Sequence, residues 1–335
     1  MKPTILPLLA CPECHGSLTL EVDGEPSGEI ESGRLVCAAC PRDYPIVRGV
    51  PRFVPAPEPG VVERTSRRFG GQWQHFRERF HEFREAFLDW VLPLQPEDFA
   101  GRVVLDAGCG MGRFAEVAAS FGAQAVVGVD LSEAVEVAHE AARDRNNLHI
   151  VQADLRRLPL AREFDLLYTL GVLHHMPDGA QGLADMAQVV RPGGRVQIWV
   201  YGREGNEWLL RWVDPLRRKL TSRLPFPLLW LLSFVIALKL HFVLVVLYRP
   251  AARSGGRRWL PYRPYFTWLA GFPWRHTHQV VFDHLGAPLA RYLARPEVEE
   301  WLRGAGLTDL EITPRNANSW RGGGRVSEPD PRPTP

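Results

Sequence analysis

Two cysteine pairs, Cys11/Cys14 and Cys37/Cys40, each enclose two residues and stand 22 residues apart near the start of the chain. That spacing is the knuckle pattern in which four thiolates surround one tetrahedral zinc ion. Disulfides are the competing chemistry. The opening MKPTILPLLA has one lysine and an apolar run too short for a secretory signal, so the expectation is a cytoplasmic chain with reduced thiols, and hence metal. A second set of reactive groups is carboxylates that close apolar runs: Asp106, Asp130 and Asp154. A third is histidines, the adjacent His174 and His175, then His276, His278 and His284 beside Asp283. An acid at a strand end accepts hydrogen bonds from a ribose diol. Histidine exchanges a proton near neutral pH. The irregular spacing of the later histidines argues against a second metal site.

The elements that would hold the acids are legible. In VVLDAGCGMG (103–112) a short apolar strand ends at Asp106 and enters a turn with glycines at 108, 110 and 112. A helix follows, with Phe114, Val117 and Ala118 on one face, and then a second apolar strand over 125–129 ending at Asp130. This is one βαβ unit with a nucleotide-type cradle at the carboxyl ends of its strands. The glycine order is GxGxG, not GxGxxG, so a pyrophosphate is not its best match. Cys109, inside the turn, reads as a small buried filler.

DAGCGMG, VDLS, ADLRRLPL, FDLLYTLGVLHHMPD and VRPGGR follow one another between residues 101 and 201. Together they resemble the ordered motifs of class I S-adenosylmethionine-dependent methyltransferases of the small-molecule type. The resemblance implies an α/β fold with a Rossmann-like seven-stranded sheet. It also implies a cofactor site of Asp106, Gly108 and Gly110 at the turn, Asp130 on the ribose, Leu131 and Leu155 against adenine, Asp154 on the adenine amino group, and Leu170 where cofactor and acceptor meet. Methyl transfer asks a protein chiefly for alignment and exclusion of water. If a base is needed, His174 is the candidate, with His175 packed; His278 and His284 are candidate acceptor contacts. Residues 5–55 resemble the small zinc-ribbon domain fused to or partnered with RNA- and protein-modifying methyltransferases, implying a structural zinc on Cys11, Cys14, Cys37 and Cys40.

The expected organisation is a ribbon over 1–57, a linker and helical lid over 58–100, and a cofactor core over 101–202. A helical insertion (203–280) that caps the acceptor, a return to the sheet (281–322) and a mobile tail (323–335) complete it. The aromatic spacing of Phe69, Trp73, Phe76, Phe80, Phe83, Phe87 and Trp90 fits one helix face, mostly core, with its leading part a lid. Residues 228–247 are interrupted only by Ser233, Lys239 and His241. Their length suits a bilayer span, but a mid-span lysine costs about 2.5–3.5 kcal/mol, and a span would divide the sheet. A buried cap or a monotopic surface helix is expected instead. Between 203 and 263 twelve Lys or Arg face three acids, which favours contact with anionic lipid and a peripheral place on the inner membrane face.

The whole chain carries a formal charge of only +2, and its first 57 residues hold five basic and seven acidic side chains, a poor match to a nucleic-acid backbone. The leading expectation is methylation of an apolar or lipid-linked small molecule such as a quinone, polyketide, isoprenoid or glycolipid precursor. An rRNA or tRNA base methyltransferase is the alternative, and a non-catalytic scaffold the second alternative.

Overall fold

The computed structural model describes residues 1–22, 28–54, 60–78, 80, 82–254 and 259–328. The amino-terminal segment forms a 3-10 turn, Pro3–Leu8, and four short strands: β1 (Leu18–Glu21), β2 (Ser32–Cys37), β3 (Asp43–Val47) and β4 (Val50–Phe53). Helices α1 (Val61–His75) and α2 (Glu82–Val91) lead into β5 (Val103–Ala107), α3 (Arg113–Ala119), β6 (Ala125–Asp130), α4 (Ala134–Ala142), β7 (Leu148–Ala153) and β8 (Phe164–Leu170). Then come α5 (Gly179–Ala187), β9 (Val190–Tyr201) and the inserted helices α6 (Asp214–Lys219), α7 (Phe226–Val243), α8 (Arg249–Ser254), α9 (Arg263–Leu269) and α10 (Trp274–Gly286). Helix α11 (Arg295–Gly304) and strands β10 (Leu307–Arg315) and β11 (Ser319–Val326) close the chain.

Seven strands form the expected sheet, in the order β7-β6-β5-β8-β9-β11-β10. The first five are parallel, and β11 runs antiparallel to both neighbours. Every residue of β5 and β7 is buried, as a parallel sheet covered by helices on both faces requires. The strand order reverses between β5 and β8, and ligands of such sheets bind in the crevice that this reversal opens.

The ribbon is welded to the sheet rather than tethered to it. Strand β4 pairs in parallel with β7, Arg52 opposite Gln152 and Phe53 opposite Ala153. The Arg52 guanidinium donates to Gln152 Oε1 at 2.6 Å and pairs with Glu136 at 3.0 Å. Met1, Ile5, Leu9, Leu18 and Leu35 belong to the same buried cluster as Leu105, Val127 and Val151.

Three expectations are corrected. The aromatic stripe is two helices, because Phe76 leaves helical dihedrals and the connector is tied outward by Arg77–Glu140 (3.8 Å) and Glu78–Arg275 pairs. Residues 323–326, read as the beginning of a mobile tail, lie in β11, where Gly323 opposite Gln197 and Arg325 opposite Arg195 continue the ladder. Arg217, counted with the solvent-facing basic residues, is buried: it pairs with Asp214 and donates to the carbonyls of Ala287 (2.8 Å) and Ala290 (3.4 Å). Arg257 and Arg258 lie outside the described residues.

Candidate functional site

A deep cleft opens at the carboxyl ends of β5, β6 and β8. Gly108 and Gly110 have φ of +87° and +54°, values that disfavour any side chain. A Cβ on Gly108 would lie 2.3 Å from Val172 Cγ2, and one on Gly110 would lie 3.0 Å from Trp73 Nε1. The turn is pinned to the next strand: the amides of Gly108 and Cys109 donate to the Val129 carbonyl at 2.7 and 3.0 Å. Asp130, at the end of β6, accepts from the Gly110 amide (2.9 Å) and from the Ser132 amide (2.8 Å) and hydroxyl (2.7 Å). Burial raises the Asp130 carboxyl above its ordinary range, and those hydrogen bonds oppose the rise.

Gly108, Gly110, Asp130, Leu131, Asp154, Leu155 and Leu170 all line the cleft. Asp154 is held by Arg156, whose Nη2 lies 2.5 Å from Oδ2. Asp106 is the exception among the expected cofactor residues. It sits outside the lining, behind the turn, with Oδ2 buried and unpartnered and its carboxyl pushed up to about 7 by burial and by Asp130. Cys109 is buried with its thiol pushed up by burial, so it fills space. The leading half of the aromatic stripe does cover the cleft: Thr65, Phe69, Gln72 and Trp73 of α1 line it.

The inner half of the cleft is aromatic and titratable. Trp90 and Trp199 stack at 4.4 Å, and Tyr201, Tyr265 and Trp268 continue the wall. The Tyr201 hydroxyl donates to Asp283 Oδ2 at 3.0 Å, while Asp283 Oδ1 is buried without a partner. Burial, with Asp283 next, drives the Tyr201 phenol well above its usual range. Arg113 lies over Trp73 (4.9 Å) and Phe83 (4.7 Å) with Nη1 unpartnered, and burial lowers it to about 10.

Three of the four candidate histidines are placed differently from expectation, and His284 lines the cleft as expected. His174 is sealed away from the cleft, stacked on Tyr201 at 4.0 Å, with both ring nitrogens unpartnered and its pKa driven far down by burial. His175 lines the cleft instead. Its Nδ1 lies 2.5 Å from the Leu289 carbonyl, and a carbonyl only accepts, so Nδ1 carries the proton and the neutral ring keeps its lone pair on Nε2. His278 is turned away, bonded to Ser233 of α7 at 3.0 Å. His284 faces the cleft and stacks on Tyr201 at 5.5 Å. Helical spacing holds the signal that separates these two. Residues 276, 280, 283 and 284 share one face of α10 and line the cleft, whereas 278, 282 and 285 share another.

In the ribbon the four cysteine Sγ atoms lie within 4.8 Å of one another, with Cys11–Cys40 at 3.7 Å and Cys14–Cys37 at 3.5 Å. Tetrahedral thiolates at about 2.3 Å from zinc are themselves about 3.8 Å apart, so the cage fits a structural zinc. The Tyr44 hydroxyl, 3.1 Å from Cys11 Sγ, is placed to donate to a thiolate there.

Residues 105–198 match the methyltransferase domain family, and residues 2–49 match the family of the Trm112p-like protein. The chain is similar to the ubiquinone biosynthesis O-methyltransferase of Aromatoleum aromaticum, 39% identical over 133 residues that make up 38% of this chain and 56% of that protein. It is also similar to the tRNA U34 carboxymethyltransferase of Pseudoalteromonas translucida, 34% identical over 122 residues, 36% of this chain and 38% of that protein. Among solved structures, the magnesium protoporphyrin IX methyltransferase of Synechocystis with bound SAH aligns over 77% of this chain and 94% of that one, at 15% identity and a TM-score of 0.45. The chain therefore spans little more than half the length of the first curated relative and less of the second. It carries an S-adenosylmethionine-dependent methyltransferase domain preceded by a Trm112-like zinc ribbon.

Proposed function

We propose that this protein transfers a methyl group from S-adenosylmethionine to an apolar, aromatic or quinone-like small molecule, at an oxygen. One observation carries the reading: a neutral histidine with its lone pair on Nε2 lies in an aromatic-walled cleft beside a cofactor cradle. Gly108, Gly110, Asp130, Leu131, Asp154 and Leu155 would hold the cofactor, which when bound supplies an electrophilic methyl group. The two glycines admit close backbone approach, and Asp130 offers a charged acceptor to a ribose diol. Trp73 and Phe69 of α1 lie over the cleft and exclude water. His175 Nε2 takes the proton of an acceptor hydroxyl. Burial keeps this ring neutral, with Asp283 only partly offsetting it, so the base is ready at neutral pH.

The similarity to a ubiquinone O-methyltransferase supports the acceptor class. The tRNA-directed reading draws support from the second relative and from the ribbon. Against it stands the ribbon surface, where, among the described residues, exposed Glu13, Glu21, Glu31 and Asp43 outnumber exposed Arg34, Arg42 and Arg48, so the ribbon offers no net positive charge to a phosphate backbone.

The test is transfer of labelled methyl to a long-chain alkyl catechol, with bulk tRNA as the competing substrate and mass spectrometry of the product. Methylated catechol is expected, and His175→Gln should slow transfer by about 10²-fold or more while leaving cofactor affinity intact. Label in tRNA and none in catechol would overturn the reading.

A further inference from the structure

The insertion carries an apolar surface that the cleft does not use. Helix α7 continues through 244–248 into α8, giving one apolar helix over Phe226–Arg253, 28 residues long. Its buried positions, Leu229, Ser233, Ala237, Leu244, Tyr248 and Ala251, form a single stripe against the protein. The rest of the circumference is open: Leu228, Leu231, Val235, Leu238, Phe242 and Val246 are exposed, Phe242 by 68%. Just before it, Trp208, Trp212, Leu216 and Leu220 recur every fourth residue and are exposed as well, Trp212 by 59%. Two adjacent helices thus present large apolar side chains outward, far more than scattered surface leucines would.

Charge identifies what covers this surface. Arg211, Arg218, Lys219, Arg223 and Arg253 are exposed around it. Between 208 and 254 the sole acid is Asp214, which is buried and paired with Arg217 and Arg218. Exposed tryptophans beside basic side chains and an apolar face are the composition of a helix that lies in the head-group layer of an anionic bilayer.

The long helix does not leave the protein to span. Its buried stripe runs from one end to the other, about 33 Å of helix, held at the start by Phe76 and Phe282 and at the end by Tyr248 to the Pro261 carbonyl (2.8 Å) and Arg249 to the Ala270 carbonyl (2.9 Å). Lys239 is exposed on the apolar side, where its stem reaches the head groups by lying along the helix.

We infer that the face formed by 208–220 and the long helix docks on an anionic lipid bilayer, lying parallel to it. The seat is continuous with the walls of the cleft. Arg68 of α1 donates to the carbonyls of Ser222 (3.1 Å) and Leu224 (2.9 Å), directly before α7. Helix α10 packs Phe282 and His278 on α7 while its other face lines the cleft. Lipid contact therefore bears on the helix that covers the cleft, and an acceptor dissolved in the bilayer meets the protein on that side.

The experiment is co-sedimentation of the full chain with phosphatidylcholine vesicles, with and without phosphatidylglycerol, at low and high salt. It needs no acceptor, so its outcome is separate from that of the catalytic reading. Binding to phosphatidylglycerol vesicles that salt weakens is expected. Joint substitution of Arg211, Arg218, Lys219 and Arg223 by glutamine should weaken it about tenfold or more. Trp212→Ser with Leu231→Ser and Leu238→Ser should abolish it, with cofactor affinity by calorimetry unchanged as proof of folding. Lys239→Leu should raise affinity for neutral vesicles. Absence of vesicle binding, binding unaffected by the serine variant, or a stable dimer in solution that the serine variant disperses to monomers would each overturn the proposal, the last by showing that a second copy covers the face.

Discussion

Asp130→Asn separates recognition from folding at the cofactor cradle. The native carboxylate accepts from two amides and one hydroxyl, at Gly110 (2.9 Å) and at Ser132 (2.8 and 2.7 Å). An asparagine keeps the shape and one acceptor oxygen, but its amide group must point a donor at one of these donors. Losing a charge-assisted acceptor for a ribose diol costs about 1.5–3 kcal/mol, roughly a 10- to 150-fold loss of affinity. Stability should change less. Burial already disfavours the charged Asp130, so removing the charge returns part of what the mispaired amide costs. Calorimetric titration with S-adenosylhomocysteine, paired with urea unfolding, reads both quantities on one preparation. Affinity within twofold of the wild type would refute the ribose assignment; an unfolding loss larger than the affinity loss would show that Asp130 only braces the turn.

Other consequences are open to measurement. Gly108→Ala should lose about 2–4 kcal/mol in urea unfolding, from left-handed strain plus the clash with Val172; wild-type stability would contradict the turn geometry. Elemental analysis should find one zinc per chain, and Cys14→Ser should lower both metal content and melting temperature; a full complement of zinc in that variant would remove Cys14 from the cage. For Asp106, the folded carboxyl near 7 lies above the unfolded value of 3.8. The unfolded chain therefore loses this proton first, and cofactor-free protein should lose stability as pH rises from about 4 to about 7, by at most about 4 kcal/mol. Asp106→Asn should flatten that slope in melts across the range; an unchanged slope would mean that the carboxyl titrates normally.

The cofactor half of the cleft was legible in the sequence because it is local: glycines within five residues of one another and acids at the ends of apolar strands. The acceptor half is not local. Arg113, Tyr201, Tyr265 and Asp283 come from four elements spread over about 170 residues, and no periodicity in any one of them announces the others. The His174/His175 pair shows the limit well. Both lie in a 3-10 turn, Leu173–His175, where successive residues point about 120° apart. Which ring meets the cleft is settled by the Leu289 carbonyl, 114 residues away. Arg217 illustrates the same point for charge. A count treats it as solvated, yet Arg217 donates hydrogen bonds to the carbonyls of Ala287 and Ala290 just beyond α10, as cations at helix C-termini commonly do.

The parallel pairing of β4 with β7 has a consequence for how the protein fails. A β-sheet that ends in an uncovered strand offers a row of free amides and carbonyls to any passing chain. Here β4 covers the end of that row, opposite Gln152 and Ala153 of β7, and because it is covalently joined its local concentration stays high whatever the dilution. Its position depends on a module whose fold the thiolate cage secures. Chelation should therefore do more than soften the ribbon: by releasing β4 it would expose the edge of the catalytic sheet, and the metal-stripped protein should associate through that edge before its cofactor domain melts. Zinc would in this way act as the guardian of the chain's solubility.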